Sequence, residues 1–181
     1  DHIAEQHIHT LDMMAWIKGD VYPVAVSSLG GRQKRTGKKF GNIYDHFANT
    51  YEWEDGTVGI SQCRQQNQCW RDTNEYVYGT EGKANVFRHA IAGKNEWRFV
   101  GKQGNMYQNE HDEMFRALRA GKPINNGEYM CNSTLMAIMG RMAAYTGQRI
   151  TWQQAHESKE VLMPNLLKWG DQAPVSEVAI P

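Results

Sequence analysis

The order of hydrophobic and polar positions predicts one helix, then a block of strands, then a block of helices. Within residues 1–16 the apolar side chains recur at helical spacing, at Ile8, Leu11, Ala15 and Trp16. Polar side chains recur three, four and three residues apart on a neighbouring face, at His2, Glu5, His9 and Asp12. The pattern therefore predicts one continuous helix that buries one face and presents carboxylates and imidazoles on the other.

The middle of the chain predicts antiparallel strands joined by tight turns. The clearest hairpin is at residues 47–64, because hydrophobic and polar positions alternate before the turn at Asp55 and Gly56. Residues 21–29 are strand-like, and further hairpins are predicted at residues 76–87 and 88–100. Tyr51 and Trp53 share one strand face, which suits the core or an interface equally well. Because an open face with such aromatics would expose an apolar patch, we expect an oligomer interface there.

Helices return at residue 106, with Asn105 as the predicted N-cap and Gln108 at the capping-box position. A methionine-rich helix is predicted at residues 128–145, in which Gly140 would allow close approach to the sheet, and a capping box at Thr151 and Gln154 opens a short helix. Residues beyond 164 read as an extended tail. The predicted fold class is α+β: an open, mostly antiparallel or mixed sheet with helices packed on one face.

Composition narrows the classes of function. The chain has 181 residues, with 20 Lys and Arg against 20 Asp and Glu, so no net field favours nucleic acid or an anionic membrane. The sequence has no run of 18 apolar residues, so it predicts no membrane-spanning helix. Residues 31–41 hold five basic residues and no acidic one, which fits a mobile solvated loop or the edge of a substrate site. Cys63 and Cys69 could pair under oxidising conditions, although buried free thiols are the simpler interpretation.

Glu5 and His9 form the candidate pair for acid–base chemistry, because a carboxylate one helical turn from an imidazole can fix its tautomer and raise its basicity. A surface contact is the alternative, and the face formed by His2, Glu5, His9 and Asp12 would also suit zinc or iron, although no distant motif completes a metal shell. Arginine, amide and imidazole groups elsewhere at element ends suit hydroxyl-rich ligands such as sugars. The chain lacks the glycine-rich fingerprints of dinucleotide and triphosphate sites.

Several segments together resemble a known family. They are residues 5–16 (EQHIHTLDMMAW), residues 79–82 (GTEG), residues 107–111 (YQNEH) and the helix pair that ends at residues 143–147 (AAYTG). The chain is similar over nearly its whole length to the C-terminal domain of the Gfo/Idh/MocA (glucose-fructose oxidoreductase and inositol dehydrogenase) family. The resemblance is strongest to a branch, often exported by bacteria, with GGRQ, NIYDHF and CRQ segments, which occur here at residues 30–33, 42–47 and 63–65.

The resemblance implies that residues 1–181 are a single substrate-binding and oligomerisation domain of the dihydrodipicolinate-reductase-like type, belonging to a longer two-domain enzyme whose Rossmann domain binds NAD or NADP. It implies that His9 is the catalytic base and Glu5 orients it, although the family places an aspartate where Glu5 stands. Candidate substrate ligands are Arg32, Arg64, Tyr107 and His111, and no metal is implied.

The expected activity is oxidation of a sugar, glycoside or polyol hydroxyl in a homo-oligomer built through the open sheet face. Redox-assisted glycoside cleavage and a non-catalytic binding or assembly module are the alternatives.

Overall fold

A computed structural model describes residues 1–163 and 168–171. Contacts group the chain into two compact units, one formed by Asp1–Cys69 with Tyr129–Pro181 and the other by Trp70–Glu128. The prediction that residues 1–181 form a single domain stays a prediction. The predicted tail lies largely outside the described residues.

The helices are α1 (His2–Glu5), α2 (Ile8–Ile17), α3 (Met106–Arg119), α4 (Gly127–Thr146) and α5 (Trp152–His156). The strands are β1 (Ala25–Gly31), β2 (His46–Glu52), β3 (Val58–Arg64), β4 (Tyr76–Gly79), β5 (Gly82–Asn85), β6 (Ala90–Gly93), β7 (Trp97–Arg98) and β8 (Ile150–Thr151).

The first unit contains a four-stranded antiparallel sheet in the order β3, β2, β1, β8. The predicted hairpin is confirmed as β2 and β3, which pair in register from His46 opposite Arg64 to Glu52 opposite Val58. Gly56 in the connecting turn has a φ of 82°, a conformation that favours glycine. The strand predicted at residues 21–29 begins later, at Ala25, and continues through Gly31.

One face of this sheet carries the hydrophobic core. Buried side chains from the first two helices and from α4 cluster with the strand residues Val26, Phe47 and Tyr51. The Tyr51 hydroxyl donates to the carbonyl oxygen of Met136 at 2.8 Å, and Trp53 is only 4% exposed. The expectation that the Tyr51 and Trp53 face forms an oligomer interface is therefore wrong: helices of the same chain cover it.

The methionine-rich helix approaches this sheet closely at Gly140, as its composition predicted. A Cβ atom at position 140 would lie 2.5 Å from the Tyr51 hydroxyl and 2.9 Å from Cδ1 of Ile3. Real Cβ atoms do not make such contacts, so this crossing requires glycine.

The opposite face of the first sheet is open within the described residues. It carries the side chains that alternate with the core positions, and Leu29, Ile60 and Val58 are 79%, 71% and 56% exposed. These three residues are the open-face patch. Such a group of large apolar side chains on a solvent-facing sheet is a candidate contact surface.

The second unit contains an antiparallel sheet in the order β4, β5, β6, β7 together with α3. Both additional hairpins predicted from the sequence are confirmed by the pairing of β4 with β5 and of β6 with β7. Asn105 caps α3 by accepting from the backbone N–H groups of Tyr107 and Gln108. The Gln108 side chain donates instead to Asp112, so the predicted capping box is only half formed, whereas the box of Thr151 and Gln154 is complete.

The two units together confirm an α+β fold with open antiparallel sheets. No helix of the described residues is long and apolar enough to cross a membrane. The three cysteines are free thiols: Cys63 and Cys69 are half-buried and Cys131 is exposed.

Candidate functional site

The helix that carries Glu5 and His9 is interrupted between them. The backbone N–H of His7 donates to the carbonyl of His2 at 3.1 Å, a span of five residues rather than four, and a new helix begins at Ile8. The prediction of one continuous helix with four polar residues on a single face is therefore wrong. Glu5 and His9 are both exposed, and among the described residues no hydrogen bond joins their side chains. Their catalytic roles stay predictions.

His7, which the sequence analysis does not single out, anchors this interruption. Its Nε2 lies 2.7 Å from the Ser61 hydroxyl on β3, and its Nδ1 lies 3.0 Å from the Thr10 hydroxyl. Burial, with a smaller contribution from the nearby His2, lowers the pKa of His7 to about 4. The ring is therefore neutral near pH 7 and fixes the start of α2 to the sheet. No local sequence signal reveals this contact, because Ser61 lies 54 residues away.

The polar contacts of His7 continue across the buried face of the sheet. The Asn49 side-chain amide donates to Ser61 Oγ at 3.2 Å, and the Ser28 hydroxyl donates to Asn49 Oδ1 at 2.6 Å. Because Thr10 donates its hydroxyl proton to the carbonyl of His7, a consistent assignment has Nδ1–H of His7 donating to Thr10 and Ser61 donating to Nε2. The network satisfies polar groups that would otherwise be costly to bury.

The other end of the interrupted helix is fixed through Asp1. Its carboxylate accepts from the backbone N–H of Tyr44 at 2.9 Å, from the Tyr145 hydroxyl at 2.7 Å and from Nε of Arg141 at 2.7 Å. Arg141 also stacks on the Tyr145 ring, 4.1 Å from its centroid. These contacts attach the start of α1 to α4, so both sides of the interruption that separates Glu5 from His9 are held by tertiary contacts.

A buried carboxylate organises the basic loop. Asp45 has no solvent exposure, and its Oδ2 accepts three consecutive backbone N–H groups, from Gln33, Lys34 and Arg35, at 2.9, 2.7 and 2.8 Å. Burial alone would raise the pKa of Asp45, but these hydrogen bonds and the His46 contact outweigh it and hold the pKa well below its usual range. Residues 33–35 of the predicted mobile loop are thus fastened by a sequence-distant side chain.

Asp45 also orients an imidazole. Its Oδ1 lies 2.8 Å from Nδ1 of His46, the first residue of β2. Gln66 reaches the same oxygen at 3.4 Å and donates to the Gln33 side-chain carbonyl at 3.0 Å. The participation of Gln66 could not be anticipated from the sequence, because it depends on the register of β2 against β3.

The structure places the four candidate substrate ligands in different surroundings. Arg32 donates through Nε and Nη2 to the carbonyl of Arg35, at 3.0 and 2.7 Å, and so closes the basic loop. Arg64 ends β3 opposite His46, which in turn pairs with Gly31, so the positions of both arginines lie at the same end of the sheet. Tyr107 and His111 belong to the second unit, where Nδ1 of His111 donates to the carbonyl of Tyr107 at 2.7 Å.

The alternative interpretation of the first helix as a metal site finds no geometric support. Among the described residues, no three His, Cys, Asp or Glu side chains are grouped so that they could hold a metal ion. His2 Nδ1 is buried without a hydrogen-bond partner in the described part of the chain, and burial lowers the pKa of His2. The charge of Glu5 opposes this lowering of the His2 pKa, whereas the charge of Arg35 adds to it.

Comparison with protein families identifies the class of protein that carries this fold. Residues 2–166 match the oxidoreductase family, C-terminal alpha/beta domain, of the Gfo/Idh/MocA group. The chain belongs to this family, and the resemblance stated from its motifs is confirmed. The comparison with curated proteins found no significant match.

Solved structures show the same fold in oxidoreductases. The aldose-aldose oxidoreductase of Caulobacter crescentus, crystallised with glycerol, is 17% identical over 80% of this chain and 45% of its own, with a TM-score of 0.63. The WlbA dehydrogenase of Bordetella pertussis, in complex with NADH and UDP-GlcNAcA, is 17% identical over 81% of this chain and 43% of its own, with a TM-score of 0.58.

A third structure is the UDP-N-acetylglucosamine 3-dehydrogenase of Acidithiobacillus ferrooxidans. It is 16% identical over 75% of this chain and 44% of its own, with a TM-score of 0.62. The chain thus spans less than half the length of each of these proteins.

Proposed function

We propose that this chain is the substrate-binding and oligomerisation part of an NAD(P)-dependent oxidoreductase that acts on a hydroxyl group of a sugar, glycoside or polyol. The chain belongs to the oxidoreductase family. The observation that carries the proposal is that its exposed Glu5 and His9 lie on two helices, each held to the first unit by its own contacts. The structural relatives named above support the substrate class: one is an aldose-aldose oxidoreductase, one is a UDP-N-acetylglucosamine 3-dehydrogenase, and one is a dehydrogenase in complex with UDP-GlcNAcA.

In this proposal His9 is the general base. Its imidazole takes the proton of the substrate hydroxyl, and a nicotinamide held by the nucleotide-binding part would supply the acceptor for the hydride on the same carbon. Glu5 favours the protonated ring electrostatically and orients it. In the structure His9 is exposed and its ring makes no hydrogen bond to a described side chain, which leaves both nitrogens accessible to a ligand. Arg32, Arg64, Tyr107 and His111 are the proposed substrate ligands.

The cofactor is proposed to bind outside the described residues. A nicotinamide dinucleotide needs backbone N–H groups at a glycine-rich turn before a helix to receive its pyrophosphate, and this chain has no such fingerprint. The chain alone is therefore expected to bind neither NAD(H) nor NADP(H) at low micromolar concentration. Titration of the chain with each form by calorimetry measures this directly.

The open-face patch is the proposed site of self-association. Leu29, Val58 and Ile60 form an exposed apolar surface on a sheet face that no described element covers, and two copies of this chain could bury it against each other. The partner proposed here is a second copy, because the patch is apolar and carries no excess of charge that would select a nucleic acid or an acidic protein.

The test of the oxidoreductase proposal is a turnover assay of the protein together with its nucleotide-binding part. Sugars, glycosides and polyols would be offered with NAD and with NADP, and reduction of the nicotinamide would be followed optically, with His9→Ala as the variant that must lose activity. Redox-assisted glycoside cleavage, the alternative, would release the aglycone without net consumption of cofactor. A binding or assembly module would bind ligand or partner and turn over nothing.

A further inference from the structure

Asp45 fixes the tautomer of His46. The Oδ2 of Asp45 is already occupied by three backbone N–H groups, and its Oδ1 lies 2.8 Å from Nδ1 of His46. An ionised carboxylate can only accept hydrogen bonds, so Nδ1 of His46 must carry the proton. In the neutral ring the other nitrogen, Nε2, then has a lone pair and is an acceptor. Neutral histidine thus serves here as an acceptor with a defined direction.

The acceptor nitrogen of His46 is open to solvent. The His46 side chain is 38% exposed, and Nε2 has no hydrogen-bond partner among the described residues. Gly31 is paired with His46 across the ladder, and a Cβ atom at position 31 would lie 3.4 Å from Cε1 and 3.5 Å from Nε2. The absence of a side chain at this position keeps the Nε2 edge of the ring uncovered.

The side-chain amide of Gln33 is a hydrogen-bond donor in the cluster formed by Asp45, His46 and Gln66. The Gln33 side chain accepts from Nε2 of Gln66 at 3.0 Å, which directs its amide nitrogen away from that bond. Gln66 also approaches Asp45 Oδ1 at 3.4 Å and Nδ1 of His46 at 3.5 Å. The amide nitrogen of Gln33 has no acceptor among the described residues and can donate two hydrogen bonds. The side chains of Gln33 and His46 therefore belong to one cluster, joined through Gln66 at the edge of this sheet.

This pairing selects the chemistry of a ligand. A neutral imidazole lone pair repels an anion, and no group of three metal-ligating side chains accompanies it among the described residues. A hydroxyl group both donates and accepts, so two neighbouring hydroxyls can donate to the imidazole and accept from the amide at once. We propose that His46, oriented by Asp45, forms with Gln33 a binding subsite for adjacent hydroxyl groups of a carbohydrate or related polyol.

The subsite lies at one end of the sheet face that carries the open-face patch, since Leu29 pairs with Ala48, two residues from His46. His46 is the first residue of β2, whereas Val58 of the open-face patch pairs with Glu52 at the other end of that strand. Positions 46 and 52 are six residues apart on β2, or about 20 Å, so Val58 is distant from the subsite whereas Leu29 is near it. The choice of polyols as the ligand class rests on the proposed function, whereas the tautomer and exposure of His46 do not, so the two can fail separately.

The first measurement is the protonation of His46 in the full chain labelled with ¹⁵N-histidine. We expect the neutral ring to show a protonated Nδ1 and an unprotonated Nε2, the reverse of the tautomer that free histidine prefers. Asp45→Asn should return the ring to the ordinary preference. A neutral His46 in the wild-type chain with the proton on Nε2 would overturn the proposal, and this result does not depend on how well any variant folds.

The second measurement is binding. Glycerol, myo-inositol and D-glucose would be titrated while the Nε2 signal of His46 and the side-chain amide signals of Gln33 and Gln66 are followed. At least one should give saturable shifts with a dissociation constant of about 1–10 mM, as expected for a few neutral hydrogen bonds. His46→Leu, followed at the glutamine signals, should weaken binding about two- to tenfold, the worth of one such bond. Gly31→Ala should weaken binding by crowding Nε2.

His156→Gln is the matched control, because His156 is an exposed histidine on α5, outside the cluster. It should leave the titration unchanged. Inorganic phosphate serves as the counter-probe, and a saturable response to phosphate with none to the polyols would overturn the proposal. So would shifts that follow protein concentration rather than ligand, since these would place a second chain at His46. If the expected tautomer is found but none of the three polyols binds, the subsite assignment is wrong while the oxidoreductase proposal is untouched.

Discussion

Nε2 of His7 lies 2.7 Å from the hydroxyl oxygen of Ser61, 54 residues further along the chain. This contact fastens the interruption between the first two helices to the sheet, and in the assignment given above the Ser61 hydroxyl donates to an unprotonated Nε2. The pH dependence of the contact follows from the burial of the ring, which disfavours the imidazolium.

The folded protein should therefore lose stability as His7 is protonated. The pKa of His7 is about 4 in the folded state and 6.5 in an unfolded chain, so the unfolded state binds the extra proton between these values. The contribution is complete above pH 6.5 and decreases as the pH falls towards 4. Between pH 7.5 and pH 5 the wild-type chain should lose about 2 kcal/mol through this group.

Urea unfolding at the two pH values measures this loss, and His7→Gln should abolish most of it while retaining a polar group. The variant His156→Gln, at an exposed position, should leave the wild-type difference intact. Asp45 does not interfere, because its lowered pKa keeps it ionised throughout this range. An unchanged difference in His7→Gln would mean that His7 titrates normally in the folded chain.

Gly140→Ala tests the helix crossing against the sheet. The added methyl group would lie 2.5 Å from the Tyr51 hydroxyl, which is itself held by the carbonyl of Met136. We expect a loss of about 1–3 kcal/mol in unfolding free energy, as for other overpacked cores. Tyr51→Phe alone should cost about 1 kcal/mol by removing the hydrogen bond. Because the phenylalanine also removes the clashing atom, the double variant should be more stable than the sum of the two losses predicts.

Local signals account for what the sequence predicts well. Asn105 and Thr151 mark helix starts because a cap acts on the backbone within three residues, and Asp55 with Gly56 marks a hairpin because the turn is set by its own dihedral angles. Gly140 was identified as a point of close approach because a glycine within a helix otherwise lowers its stability. These features needed no knowledge of the rest of the fold.

The errors in the sequence-based predictions arise where contacts between residues far apart in the sequence determine the structure. The first helix is interrupted because His7 contacts Ser61, a partner that no local pattern reveals. Tyr51 and Trp53 were expected at an interface, but which face of a strand is buried depends on where α4 packs, 85 residues beyond Tyr51 at the Met136 contact. The catalytic roles of Glu5 and His9 rest on resemblance and on exposure, and they await the kinetic test below.

The burial difference between two apolar positions predicts how the sheet faces respond to charge. Ile60 is 71% exposed in the open-face patch, whereas Trp53 is 4% exposed in the core. Ile60→Lys should weaken self-association in sedimentation experiments while leaving unfolding free energy within about 0.5 kcal/mol, as is usual at surface sites. Trp53→Lys should instead unfold the chain or cost several kcal/mol. Val161→Lys, at an exposed position outside the helices and strands, is the control, and an equal effect on association would argue against the patch.

Thiol reactivity should separate the cysteines. Burial raises the pKa of Cys63 to about 12, whereas Cys131 is exposed on α4. Because the thiolate is the nucleophile, iodoacetamide at pH 8 should label Cys131 at least about a hundredfold faster than Cys63. Peptide mapping by mass spectrometry measures both rates in one sample. In urea the difference should disappear, and rapid labelling of Cys63 without denaturant would contradict its placement against the core.

The most demanding prediction concerns the proposed base. In the protein with its nucleotide-binding part, His9→Ala should lower turnover by roughly two to four orders of magnitude, the usual contribution of a positioned general base. Cofactor affinity should hardly change, because His9 is proposed to act on the substrate hydroxyl. Glu5→Gln should cost less and shift the acidic limb of the pH profile, since the amide can still hold the ring but no longer favours the imidazolium. The two changes should combine non-additively if the residues act as a unit.

His7→Gln provides a structural comparison. By loosening the start of α2 it should impair both turnover and the stability of the protein, whereas His9 lies on the surface and its loss should leave stability unchanged. Near-normal turnover in His9→Ala together with abolished turnover in His111→Ala would move the base to α3 in the second unit, and the role assigned to His9 would be wrong.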